Sequence, residues 1–228
     1  MAELSPHQFL VSRAPFDSLP EQQLRQFADN CSMRKLSNRE YLFIEGEECR
    51  ACYYVVEGRV ALLKCSHGAK ELMVALFPEG EPFAVMPAIQ KNPFPVSARA
   101  EGSTKVLSVP GKELIALWDE YPEVRDVCMS YVSSRMSRIL ELARSLAHDS
   151  ADVRLAAILL SLLPQDGRDD GVEIQILRRD LSDLGGTTIE TASRITKRME
   201  AQGVLDLSTH GVVKILDVEG LANMTIPE

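Results

Sequence analysis

Nothing in the 228 residues approaches the ~18 consecutive apolar positions that a membrane span needs. Met1–Leu10 has no basic region followed by an apolar run, so no secretory signal is expected. Cysteine is scarce and odd in number: Cys31, Cys49, Cys52, Cys65 and Cys128. That excludes a disulfide scaffold and points to a reducing cytoplasm with mostly free thiols. An excess of positive charge is missing too, because 25 basic residues face 33 acidic ones for a formal charge of −8. Taken alone this argues against a nucleic-acid partner, since DNA-binding domains usually carry net positive charge. There is no internal repeat and no low-complexity tract. What is present is ordinary globular composition, 45% hydrophobic and 25% charged, in a chain long enough for one large domain or two modest ones.

The texture changes near residue 110. Before it, short β-rich runs are separated by glycine and proline. Tyr41–Glu45, Tyr53–Val56, Val60–Lys64, Glu71–Phe77, Val96–Ala100 and Lys105–Val109 read as strands. Ser66-His67-Gly68 is placed as a hairpin turn, and Pro20–Cys31 as a short helix before the first strand. The spacing predicts a sandwich or barrel.

From Pro122 to about Ala147 the pattern is a long helix, with Pro122 suited to its first turn. Met129, Val132, Met136, Ile139, Ala143 and Leu146 recur at intervals of 3, 4, 3, 4 and 3, an a/d seam. Such a stripe either packs on its own domain or joins two copies of the chain. The helix's length, with Arg135, Arg138, Glu141 and Arg144 flanking the stripe, favours the dimer. The division expected is therefore 1–121 for the β-rich domain, 122–147 for the dimerisation helix, and 148–228 for a third segment.

That segment holds a very apolar helix (Ala151–Leu163), a polar loop (Pro164–Gly171) and a strand (Val172–Ile176). Two short helices around Gly185-Gly186 follow, then a hairpin of Val204–Leu207 and Val212–Leu216. This is the order of a winged helix-turn-helix. Its informative stretch is Arg178–Met199. Leu181 and Leu184 give the first helix an apolar face, and the glycine pair allows the tight turn. Thr187 or Thr188 can cap the second helix, with Thr187-x-x-Glu190 scanning as a capping box. Ile189, Ala192, Ile195 and Met199 form its expected buried side. Glu190, Ser193, Arg194 and Lys197, at i, i+3, i+4 and i+7, lie opposite. Arginine can fork onto guanine O6 and N7, and glutamate can accept from cytosine N4, so this face suits the major groove of double-stranded DNA. Arg178, Arg179, Thr188, Thr191, Lys197 and Arg198 are candidates for phosphate contacts. Charge resolves locally: five basic residues against three acidic ones give this stretch +2 within a chain of −8.

These residues reach a known family. Glu190-Thr191-Ala192-Ser193-Arg194 resembles the recognition-helix signature of the Crp/Fnr transcription regulators. Residues 45–77, with Glu45-Gly46-Glu47, Tyr54-Val55-Val56 and Glu57-Gly58, resemble that family's β-roll. The resemblance implies an α+β fold: an N-terminal cyclic-nucleotide-binding-like β-roll, a long dimerisation helix and a C-terminal winged helix-turn-helix. It further implies a non-enzymatic homodimer on a palindromic operator, with Glu190, Ser193 and Arg194 reading bases and RNA polymerase as a further partner. Ser193-Arg194 looks like the Fnr branch and its TTGA-like half-site. Gly185 departs from the family, which often has Leu there, and is expected to loosen the first helix.

In cyclic-nucleotide members of the family, a Gly-Glu pair and a later Arg-Ser pair hold the ribose and phosphate. The matching positions here are Ala84-Val85 and Phe94-Pro95. A buried phosphate without a cation is costly, so cAMP is not expected in the usual mode. Phe83, Val85, Met86, Phe94 and Val96 would make the altered pocket apolar, either a filled core or a site for an apolar effector or haem. In lacking the nucleotide residues while keeping Glu-Thr-x-Ser-Arg, the chain resembles the nitric-oxide-responsive Dnr/NnrR-like branch. No metal ligand is assigned, and His7, His67, His148 and His210 sit in no ligand context. Two other readings stay open: a cyclic-nucleotide-activated regulator with an atypical pocket, and a thiol-redox response through Cys49 and Cys52.

Overall fold

The structure, a computed structural model, describes residues 4–65, 71–163 and 170–225. It groups into two compact units, 1–137 and 138–228. The turn expected at Ser66-His67-Gly68, most of the 164–171 loop and the side chain of Cys65 lie outside the described residues.

In the first unit, α1 (Pro6–Leu10), a 3-10 turn (Phe16–Ser18) and α2 (Glu21–Asp29) lead into a β-roll. Its strands are β1 (Ser32–Leu36), β2 (Tyr41–Phe43), β3 (Ala51–Glu57), β4 (Val60–Cys65), β5 (Glu71–Phe77), β6 (Pro82–Phe83), β7 (Ser97–Ala100) and β8 (Thr104–Pro110). They form two antiparallel four-stranded sheets, ordered β1-β8-β3-β6 and β2-β7-β4-β5. Helix α3 (Val85–Gln90) interrupts the strands, and α4 (Gly111–Glu120) and α5 (Pro122–His148) follow them. One apolar core takes Val55, Val60, Ala98 and Leu107 from both sheets, and the N-terminal elements close it: Phe16 stacks on Phe27 at 5.0 Å and meets Tyr54 edge-on at 5.8 Å. Gly58 turns β3 into β4 at φ +80°, where an added Cβ would fall 2.5 Å from the Ser103 carbonyl oxygen. Only glycine allows that close approach of two backbones.

Several elements escape the sequence pattern, among them the 3-10 turn, β6 and α3. Helix α1 is a single turn held by a Ser5–Gln8 capping box, too short for an apolar period to show. Strand β1 is mostly exposed and carries Arg34 and Lys35, so it shows no alternation. Helix α4 begins where β8 ends, and α9 (Val218–Asn223) has only six residues.

Helix α5 has two stripes. Val124 and Cys128 are buried in the roll's core, Tyr131 donates its hydroxyl to the Pro82 carbonyl, and the Arg135 guanidinium lies 3.8 Å over the Phe77 ring. The a/d stripe is a different one. Met129 is 50% exposed, Met136 58%, Ile139 59% and Leu146 44%, with Ala143 exposed and Val132 half-buried. Packing on the helix's own roll therefore falls to the other stripe.

The second unit holds α6 (Ala151–Ser161), β9 (Val172–Gln175), α7 (Arg178–Leu184), α8 (Ile189–Ala201), β10 (Leu205–Asp206), β11 (Val212–Ile215) and α9. The three strands form an antiparallel sheet ordered β10-β11-β9, the wing. Leu155, Leu159, Leu181, Ile195, Val213 and Leu221 make its core.

Candidate nucleic-acid interface and effector cavity

The α7–α8 turn is packed tightly. Gly186 adopts φ +56°, and a Cβ there would lie 2.7 Å from Leu146 Cδ2. A Cβ on Gly185 would lie 2.6 Å from Leu155 Cδ2, while its N–H donates to Leu181 O at 3.0 Å and its carbonyl accepts from Arg154 Nε at 2.8 Å. The slack expected from Gly185 is thus absent: the missing side chain is what lets α6 approach and pin the turn.

Of the two candidate caps, Thr188 serves: its hydroxyl accepts from the Thr191 N–H at 3.2 Å. The Thr187–Glu190 box is not formed. Hydrogen bonds from its own backbone N–H and from the Thr188 hydroxyl hold the Glu190 carboxyl below the usual carboxylate range. Ala192, Ile195 and Met199 are buried as expected, joined by Thr196, whose hydroxyl donates to Ala192 O at 2.9 Å. Ile189, one turn before Ala192 on that side, is not buried: it is 46% exposed in the first turn of the helix. The only signal for this was its place directly after the cap. Glu190, Arg194 and Lys197 are exposed and Ser193 half-buried, all on the face opposite the core.

The candidate phosphate groups divide. Lys197 forms no ion pair among the described residues, and neither does Arg194. Arg179 faces Asp183 at 3.9 Å, and Arg198 is paired with Asp152 on α6. Arg178, half-buried, opens α7; Thr188 is exposed and Thr191 half-buried.

In the β-roll the five residues expected around a pocket have different surroundings. Phe94 stacks on Phe43 at 3.6 Å, and Phe83 packs against Tyr53 and Phe77 at 5.5 and 5.4 Å. These rings fill the core, and Met86 and Val96 are only half-buried. A cavity of about 310 Å³ lies elsewhere, lined by Ser12–Pro15, Tyr54, Gly80, Pro82, Val85, Val127, Cys128 and Tyr131, so Val85 alone of the five reaches it. Val85 and Phe94 are apolar at the matching positions, and the nearby Lys64 amine donates to Glu45 and to the Pro95 carbonyl.

His7 faces Glu21, His148 and His210 are exposed, and none of the three lines the cavity. Its one sulfur, on Cys128, has a thiol pushed up to about 11 by burial. Cys49 and Cys52 are likewise buried. Burial raises the Cys49 thiol to about 11 and Cys52 still further, the direction opposite to the lowered values of reactive cysteines.

Residues 33–121 match the Cyclic nucleotide-binding domain and residues 153–224 the Crp-like helix-turn-helix domain. The chain is 31% identical over 175 residues to the Cyclic AMP receptor protein of Thermus thermophilus, across 76% of this chain and 79% of that one. It is 29% identical over 212 residues to the Nitrogen fixation regulation protein FixK of Bradyrhizobium diazoefficiens, across 90% and 88%. The structure of FixK2 from Bradyrhizobium japonicum shares the fold with a TM-score of 0.77 at 22% identity, covering 87% of this chain and 98% of that one. With a cyclic-nucleotide-binding-type β-roll, a long helix and a Crp-like helix-turn-helix in that order, and this degree of identity to the Thermus regulator, the chain belongs to the Crp/Fnr family of DNA-binding transcription regulators.

Proposed function

We propose that the protein works in the cytoplasm as a homodimer on a palindromic operator with TTGA-like half-sites. Glu190, Ser193 and Arg194 read bases, and a signal other than cAMP in its usual mode acts at the β-roll. The observation that carries the base reading is the two-sided α8: a buried Ala192–Ile195–Met199 stripe fixes the helix, so that Glu190, Ser193, Arg194 and Lys197 project together from the opposite face. The exposed apolar stripe of α5 supports the dimer. Val85 and Phe94, where a carboxylate and a cation would be needed, argue against a cyclic phosphate at that place. Ionised Glu190 is an acceptor for cytosine N4, and free Arg194 is a fork for guanine.

The test is a binding series on operators altered one base pair at a time. Arg194→Ala is expected to cost about 1–3 kcal/mol and to relax preference at one base position. Lys197→Ala is expected to weaken all sequences equally and to lower the salt slope by about 1. A uniform loss for Arg194→Ala would demote that residue to a phosphate contact. Calorimetry with cAMP and cGMP tests the signal, and tight binding of either would overturn that part.

A further inference from the structure

The N-terminal arm holds a cation whose contact in the fold is a ring and not a carboxylate. The Arg13 guanidinium lies 4.1 Å from the centre of the Phe9 ring, and its Nε is buried without a hydrogen-bond partner. It forms no ion pair among the described residues. A ring face offers a cation attraction but no acceptor, so a buried N–H donor is left unsatisfied. Arg13 lines the 310 Å³ cavity, whose other walls are chiefly Tyr54, Pro82, Val85, Val127 and Tyr131. No acidic side chain lines it.

These features specify a ligand. One uncompensated positive charge calls for one negative charge, and a carboxylate matches the guanidinium fork. Aromatic and aliphatic walls call for an apolar body. The volume lies at the lower end of the range for small-molecule sites, so that body is small. A phosphate dianion would bring a second charge that nothing on the wall balances. We propose that this cavity is an effector site for a small monocarboxylate with an aromatic or short aliphatic body, its carboxylate held by Arg13. The site joins the arm at Ser12–Pro15 to α5 at Val127, Cys128 and Tyr131, so occupancy ties the two together. This names the ligand class for the signal in the proposed function, and rests on that reading only for its effect on DNA.

The test is calorimetry on the full chain with benzoate, octanoate, benzyl alcohol, inorganic phosphate and cAMP. Benzoate or octanoate is expected to bind, with benzyl alcohol at least tenfold weaker and phosphate not bound. Arg13→Gln is expected to weaken the carboxylate at least tenfold, and Val127→Trp, which fills the cavity from α5, to abolish binding. Both variants are checked for an unchanged melting temperature without ligand. The proposal is overturned if no carboxylate binds, if Arg13→Gln binds as well as the parent, or if cAMP occupies the Arg13 site in preference. Intact carboxylate binding with unchanged operator affinity would strike the regulatory reading and leave the site standing. Loss of palindrome preference would strike the proposed function without touching the cavity.

Discussion

Ile139 offers a direct measure of the α5 stripe. Replacing it with alanine removes about three methylene equivalents, worth ~0.8 kcal/mol each on burial. Ile139 is 59% exposed, so that share of its burial is still available to a partner chain. The loss is then about 1.4 kcal/mol per protomer, and a two-fold interface counts it twice, for about 2.8 kcal/mol or roughly 100-fold in the dimer dissociation constant. Alanine is the better helix former, so α5 itself is kept. Sedimentation equilibrium over a dilution series measures the constant. Ser134→Ala, exposed and off the stripe, is the control and is expected to change nothing. A constant within threefold of the parent for Ile139→Ala would refute the assignment of this stripe to the interface.

Gly58→Ala is expected to destabilise the β-roll by about 2–4 kcal/mol in urea unfolding, since it combines a left-handed backbone with an overpacked Cβ. The obstacle is the Ser103 carbonyl, which is backbone and cannot rotate aside. Cys31, Cys49 and Cys128, raised by burial to about 12, 11 and 11, and Cys52, raised further, stay protonated at pH 8. Alkylation mapped by mass spectrometry should leave these four untouched in the native protein, and labelling should rise only as pH approaches 11; rapid native labelling at pH 8 would refute their burial. Because the unfolded thiols ionise near pH 9, the folded state loses stability above that pH, not below it. Asp152→Asn frees Arg198 from its surface pair, which is worth little to stability. Non-specific DNA binding should strengthen and its salt slope steepen by up to about 1, as read by fluorescence titration at two salt concentrations.

The sequence alone determined what depends on local periodicity and on single residue types. The winged helix-turn-helix order is legible because apolar spacing switches from 3.6 to 2 at the hairpin. The Glu190–Arg194–Lys197 face is legible because three turns of helix fix which residues share a side. Its −8 charge described the body and not the reading helix, where the count is +2. Tertiary structure decided the rest. Ile189 has the right residue type for a core and the wrong height on the helix to reach it. Gly185 looked like slack until the approach of Leu155 was known. The apolar cluster of Phe83 and Phe94 could be a filled core or a pocket with equal right, since packing of the two rings against Phe43 and Phe77 depends on strands far apart in the chain. The cavity wall unites Arg13, Gly80 and Tyr131, which share no spacing and no motif. Only the docking of the arm and α5 on the β-roll brings to an apolar hollow a guanidinium with no ion pair among the described residues.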